Sequence, residues 1–203
     1  MSARRVRRRR GAALVSGMHR SVGMSITRTI ALVAAVLAGC ATAPPTRAEK
    51  QSLQQSADAT RAEMMARDPA IEHMTANAPA YAVFPSIAKG GVLVGGAYGK
   101  GILYEHGVPT GYVSLQQASI GAELGGQSFA ELLILRNPYE ITAVKDGTFT
   151  AGATAGIVVL GSGGAATASF DENTTSVIVL PHGGLMVDVS ISGQQVKYQS
   201  FSA

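Results

Sequence analysis

The stretch from Tyr81 to Tyr104 holds the residues whose types and spacing could bind a phosphate group. Two lysines, Lys89 and Lys100, stand among six glycines, and glycine lets the backbone approach a ligand closely. The spacing differs from that of a nucleotide-binding phosphate loop, because Val94 occupies the position of the first glycine and Gly101 replaces the Ser or Thr that would hold magnesium. The chemistry that remains is contact with a single anionic group.

A serine, a histidine and an aspartate could together cleave an ester or an amide bond. Ser128, His182 and Asp188 supply these residue types as nucleophile, base and orienting acid. The segment Gly126–Ala130 lacks the final glycine of a nucleophile elbow, and only two glycines of an oxyanion loop follow His182. Any chain of this length offers such a triple, so we expect a protein without enzymatic activity and assign no catalytic residue.

No cofactor or metal site is predicted. Residues 161–166 match a loose dinucleotide fingerprint after an apolar strand, but residues 167–175 lack the pattern of the helix that should face the pyrophosphate. The four histidines are scattered along the chain. Cys40 is the only cysteine, so neither a metal-binding cysteine pair nor an internal disulfide is available.

The chain begins with the pattern of a secretory signal. Residues 1–39 contain eight arginines and no acidic residue, and they end in an apolar run that is too short to cross a bilayer as a helix. The sequence Leu37-Ala38-Gly39-Cys40 resembles a bacterial lipobox, in which the cysteine is acylated on sulfur and becomes the new N-terminus. We therefore expect residues 1–39 to be removed. Each of three starts leaves a workable signal: Met1, Met18 and Met24.

The predicted anchor is a lipid on Cys40, and residues 40–50 are predicted to be this lipidated cysteine and a tether, with residues 41–45 flexible. Ala41 is not acidic, which resembles lipoproteins of the outer membrane. We therefore expect the protein in the bacterial cell envelope, held by its lipid in the outer membrane and facing the periplasm. After residue 39 the chain holds nine basic and thirteen acidic residues. The net charge of +4 thus belongs to the leader, and a nucleic-acid partner is not predicted.

Helix signals precede the glycine-rich stretch and recur once within the strand region. Thr46 and Glu49 have the spacing of a capping box, Asp68-Pro69 restarts a second helix, and Asn137-Pro138 opens a short inserted helix. From Tyr81 onward, apolar runs alternate with turns rich in Gly and Pro. Because short connections join antiparallel neighbours, we predict an α+β fold: a curved, mostly antiparallel sheet of about 8–10 strands, with N-terminal helices and one short inserted helix.

Several short motifs share one family pattern. They are Ala82-Val83-Phe84-Pro85, Lys89-Gly90-Gly91, Val94 to Gly101, Gly111-Tyr112, Gly121 to Gln127, and Gly184-Leu185 with Val189 to Gly193. Together they resemble the SYLF family of lipid-binding domains, and residues 51–203 are predicted to form a single domain of this kind. The chain departs from the family pattern at Val113, where the family commonly has Trp, and at residues 179–184.

The resemblance implies that the domain binds lipid. On this hypothesis, we expect Lys89, Tyr98 and Lys100 to contact the phosphate of a phospholipid headgroup. It does not imply the phosphoinositide preference of eukaryotic relatives, because four basic and four acidic residues balance each other in residues 47–68. The sequence thus predicts an envelope lipoprotein whose partner is membrane lipid. The alternative is a structural or protein-interaction module of the outer membrane, which has no lipid ligand of its own and holds an envelope protein.

Overall fold

The structure is a computed structural model, and it describes residues 42–91, 94–120, 125–151, 155–161, 164–165, 174–182 and 193–202. These residues belong to one compact unit, Thr42–Ala203. The predicted signal, Cys40 and Asp188 lie outside the described residues. Two apolar runs that the sequence also predicts to be strands, residues 165–170 and 185–191, lie outside them as well, apart from Ala165.

Three helices form where local end signals predict them: α1 (Arg47–Arg67), α2 (Ala70–Asn77) and α3 (Pro138–Lys145). The capping box of α1 is confirmed, because the N–H of Glu49 donates to Oγ1 of Thr46 and the N–H of Thr46 donates to Oε2 of Glu49. Asn137 caps α3 by accepting from the N–H of Glu140. None of these three helices combines the length and the apolar character that a membrane crossing requires.

The strands form one sheet. They are β1 (Ala80–Gly91), β2 (Val94–Glu105), β3 (Val108–Ile120), β4 (Gly125–Leu135), β5 (Thr150–Ala151), β6 (Gly156–Gly161), β7 (Gly164–Ala165), β8 (Ser176–Pro181) and β9 (Gln194–Ser200). Their order is β5-β9-β3-β2-β1-β4-β8-β6-β7. Among the described pairings, β6 with β8 is parallel and the others are antiparallel. The chain is therefore an α+β protein dominated by a mixed sheet.

The parallel pair occurs where the chain has room for it. Parallel pairing requires the chain to return to the end of the sheet at which β6 begins. The stretch between Gly161 and Ser176 is long enough for this return. The two-residue turn between β2 and β3 is much tighter, and both His106 and Gly107 have positive φ angles there. Connection length thus accounts for both arrangements.

The centre of the sheet contains a bulge at Pro85, between the paired residues Val83 and Ser86 of β1. Proline has no N–H to donate, so a central strand accepts it only at such an irregularity. β2 passes close to this bulge, because a Cβ atom on Gly101 would overlap the carbonyl oxygen of Val83 and one on Gly99 would also overlap β1. These two glycines are therefore required by the packing of two neighbouring strands.

The sheet is strongly curled. Gln194 on β9 and Glu131 on β4 are separated by three strands, yet Nε2 of Gln194 lies 3.1 Å from Oε2 of Glu131. In a flat sheet, strand spacings of about 4.8 Å would hold these side chains far apart, so this face is concave. An apolar core fills it and includes Val144 of α3. The convex face carries a second core, which α1 and α2 join through Met64 and Ile71.

Candidate functional site

The three residues predicted to contact a lipid headgroup lie on two faces of the sheet. Lys89 is opposite Ala97, a member of the concave core, and is only 6% exposed. On β2, side chains alternate between faces, so Tyr98 and Lys100 lie on the convex face. The structure therefore brings Tyr98 and Lys100 to one face and places Lys89 on the other.

Lys100 contacts the chain segment that precedes α1. Its Nζ donates to the carbonyl oxygen of Ala43 at 3.2 Å, and the N–H of Ala43 donates to Oε1 of Gln199 at 3.2 Å. Ala43 is 7% exposed. The segment Thr42–Pro44, which the sequence predicts to be part of a flexible tether, thus lies on the convex face. No sequence signal indicates this docking, because its partners are more than fifty residues away.

Polar side chains form a row across the convex face. Ser86 lies opposite Lys100, and Lys100 lies opposite Ser114. The hydroxyls of Ser86 and Ser128 are 3.3 Å apart, and those of Ser114 and Thr42 are 3.2 Å apart. Ammonium and hydroxyl groups in this arrangement can donate to the oxygen atoms of an anion. We name this row the convex polar row, and its members are His182, Ser128, Ser86, Lys100, Ser114 and Lys197.

Ser128 and His182 face each other at one end of the row. The N–H of His182 donates to the carbonyl oxygen of Ser128 at 3.0 Å, and this register brings Nδ1 within 3.2 Å of Oγ. A serine next to an imidazole can lose its proton to the ring. In the described part of the chain, no carboxylate is hydrogen-bonded to the other ring nitrogen, and Asp188 lies outside it. The serine and the histidine of the possible triad are thus adjacent, and no acid that could orient the histidine is found among the described residues.

A tyrosine pair fixes α1 to the convex face. The rings of Tyr81 and Tyr104 stack with centroids 5.0 Å apart, and the Arg61 guanidinium lies over both. The hydroxyl of Tyr104 donates to Oδ1 of Asp58 at 2.7 Å and accepts from Nε2 of Gln54 at 3.0 Å. Burial, together with the hydrogen bond to Asp58 and its charge, raises the pKa of Tyr104 well above its usual range. Tyr104 therefore stays protonated and acts as a donor.

Glu131 is a buried carboxyl group on the concave face that the sequence reasoning missed. Its Oε2 accepts from Gln194, and its Oε1 has no hydrogen-bond partner among the described residues. Burial raises the pKa of Glu131 to about 7, and the bond from Gln194 only partly offsets this. The sequence signal was available, because Glu131 is the single charge within the apolar run Phe129–Leu135.

A cavity of about 430 Å³ opens beside α3 and β5. Glu140 is the carboxylate among its described lining residues, and both of its oxygens are occupied. Oε1 accepts from Oγ1 of Thr175 and Oε2 accepts from the N–H of Arg136, each at 2.7 Å. Because this charge is already bonded within the protein, we assign no ligand to the cavity.

Within the described residues, no group of three His, Cys, Asp or Glu side chains could hold a metal ion. The fold and the convex polar row together define an α+β protein with a basic, hydroxyl-lined surface next to its N-terminal segment. No protein-family model matches the chain, and a search of curated proteins finds no match.

Proposed function

We propose that this protein is a lipoprotein of the bacterial envelope, anchored in the outer membrane by an acylated Cys40, facing the periplasm, and carrying a SYLF-type lipid-binding domain without enzymatic activity. The observation that carries the proposal is the docked segment Thr42–Pro44. It begins two residues after the proposed acylation site and lies against a surface of lysine and hydroxyl groups. The signal-like pattern of residues 1–39 supports the anchor.

The structural roles of the motif residues support membership of the SYLF family. Pro85 lies in the central bulge, and Gly99 and Gly101 allow β2 to pass close to it. These residues belong to the two most specific motifs, and they meet at one point of the sheet.

The proposed ligand is the phosphate-bearing headgroup of a phospholipid on the convex face. Lys100 donates one N–H to Ala43, and an ammonium group has three. Tyr98 lies two residues away on the same face. Lys89 belongs to the motif but is buried on the concave face, so direct contact with the same headgroup is not part of the proposal.

Vesicle binding by a protein that cannot be acylated tests the domain itself. The Cys40→Ser variant is mixed with vesicles of phosphatidylethanolamine and phosphatidylglycerol, and binding is measured by flotation. We expect binding, and a loss of about five-fold on adding Lys100→Ala, from the roughly 1 kcal/mol that a basic residue contributes near an anionic surface. Lys145→Ala on α3 is the matched control and should change little. Absence of binding to any vesicle would contradict a lipid-binding domain.

The alternative, a protein-interaction module without its own lipid ligand, is favoured by one observation. Tyr139 on α3 is 82% exposed beside the cavity, on an element that packs against the concave face. Aromatic residues exposed in this way are enriched at protein interfaces. A photo-crosslinker at position 139 in intact cells tests it, and capture of one stoichiometric envelope protein together with failed vesicle binding would support this alternative.

A further inference from the structure

The segment Thr42–Pro44 is held at three points on the convex face. Lys100 binds the carbonyl oxygen of Ala43, Gln199 binds its N–H, and Ser114 contacts the hydroxyl of Thr42. These partners belong to β2, β9 and β3, so the segment crosses three strands. A tether without such contacts would stay exposed to solvent. Ala43 is instead buried, with only 7% of its surface exposed.

Covalent geometry then limits where the anchor can be. Only Ala41 separates Cys40 from Thr42, and two residues of extended chain span at most about 7 Å. A flexible tether over residues 40–50 would instead have a root-mean-square span of roughly 18 Å and would allow any orientation. The docked segment therefore keeps the acylated sulfur close to one face of the domain.

The surface beside this point suits a lipid headgroup layer. α1 covers the convex face around Tyr81 and Tyr104, and the convex polar row lies beyond it. In the described strands, the part that α1 leaves uncovered carries the exposed Lys197 and, beside the docked segment, the half-buried Lys100, and no acidic side chain. Its other exposed positions include four small residues, Ala88, Gly90, Ala118 and Gly126, next to the polar Ser86 and Gln195. A weakly basic surface with mostly short side chains can approach phosphate groups closely.

We infer that the uncovered part of the convex face rests on the phospholipid layer that holds the protein's own acyl chains, and that Lys100 is the positioning residue that sets this orientation by holding Ala43. The inference rests on the proposed lipid anchor. It assigns Lys100 a role that is distinct from headgroup binding, because the ammonium group is directed to the segment that leads to the anchor.

Fluorescence quenching in liposomes tests this orientation with the full-length, acylated protein. Cys40 is the only cysteine, so a single new cysteine can be labelled specifically once Cys40 is acylated. One label replaces the exposed Ala118 on the convex face, and the other replaces Tyr139 on α3. The quencher is a nitroxide on the lipid headgroup. We expect strong quenching at position 118 and weak quenching at position 139.

Two lysine variants separate positioning from charge. Lys100→Met removes one positive charge and the bond to Ala43, whereas Lys197→Met removes one positive charge on the same face and leaves that bond in place. We expect Lys100→Met to abolish the difference between the two labels and Lys197→Met to preserve it. Amide exchange at Ala43 should rise about ten-fold or more in Lys100→Met, because the lost hydrogen bond from a charged group loosens the segment whose N–H is held by Gln199.

The outcomes distinguish the inference from the proposed function. If the wild-type protein lacks an acyl group by mass spectrometry and does not float with liposomes, the proposed anchor is wrong and the inference falls with it. If the protein floats but both labels are quenched equally, the orientation alone is wrong. If Lys100→Met speeds exchange at Ala43 and the labels still differ, the membrane-facing surface stands but Lys100 does not set it.

Discussion

Replacing Glu131 with glutamine should remove a pH-dependent loss of stability. Burial raises the pKa of Glu131 from 4.5 to about 7 in the folded protein. Each pKa unit is worth about 1.4 kcal/mol, so ionised Glu131 reduces the free energy of unfolding by about 3 kcal/mol at neutral pH and above. Because the pKa is raised on folding, protonated Glu131 contributes stability that is fully present below pH 4.5. This contribution is lost as pH rises through about 7.

Glutamine keeps the shape of the side chain and carries no charge. Its amide can pair with Gln194, because the Gln194 amide can rotate to present its oxygen. Glu131→Gln should therefore be more stable than the wild-type protein at pH 8, by at most about 3 kcal/mol, and should match it near pH 4.5.

Urea unfolding between pH 4.5 and pH 8 measures this difference. The control is Glu63→Gln on α1, whose salt bridge with Arg67 is exposed to solvent and worth at most about 1 kcal/mol. The control should follow the wild-type pH profile. Equal pH profiles for Glu131→Gln and wild type, or a lower stability of Glu131→Gln at pH 8, would refute the reasoning.

Three further changes test other parts of the structure. Gly101→Ala should destabilise the protein by about 1–3 kcal/mol, because the new methyl group overlaps the carbonyl oxygen of Val83, and a thermal melt would measure this. Tyr104→Phe should cost about 0.5–1.5 kcal/mol, because it removes the hydrogen bond from Tyr104 to Oδ1 of Asp58, and an undiminished urea midpoint would contradict that. A fluorophosphonate probe should fail to label Ser128, since we assign no oxyanion donors around it in the described part of the chain. Labelling that disappears in Ser128→Ala would overturn the proposed absence of enzymatic activity.

Local signals were sufficient to predict the helices. The capping box at Thr46 and the proline after Asn137 act within one helical turn, so the first residues of α1 and α3 are determined by their own neighbours. The strand-rich character of the chain after Tyr81 was predictable for a similar reason, because alternation and turn residues are local properties. Where connections are short, antiparallel pairing follows as well.

The face of each strand residue depends on register, which is set by contacts between distant parts of the chain. The sequence groups Lys89 with Lys100, but the cross-strand pairing of Lys89 with Ala97 places Lys89 in the concave core. The register between β4 and β8 likewise brings Ser128 next to His182. The composition alone could not predict this contact, because a chain of this length offers many possible serine and histidine pairs.

By itself, the sequence determined the helix ends, the strand-rich body and the signal-like leader with its single cysteine, because each depends on residues close together along the chain. Only the tertiary structure decided that Thr42–Pro44 docks on the convex face, and that Glu131 reaches Gln194 across a curled sheet. The physical reason is the same in both cases. These contacts join residues more than fifty positions apart, and their geometry exists only after the whole sheet has paired and curled.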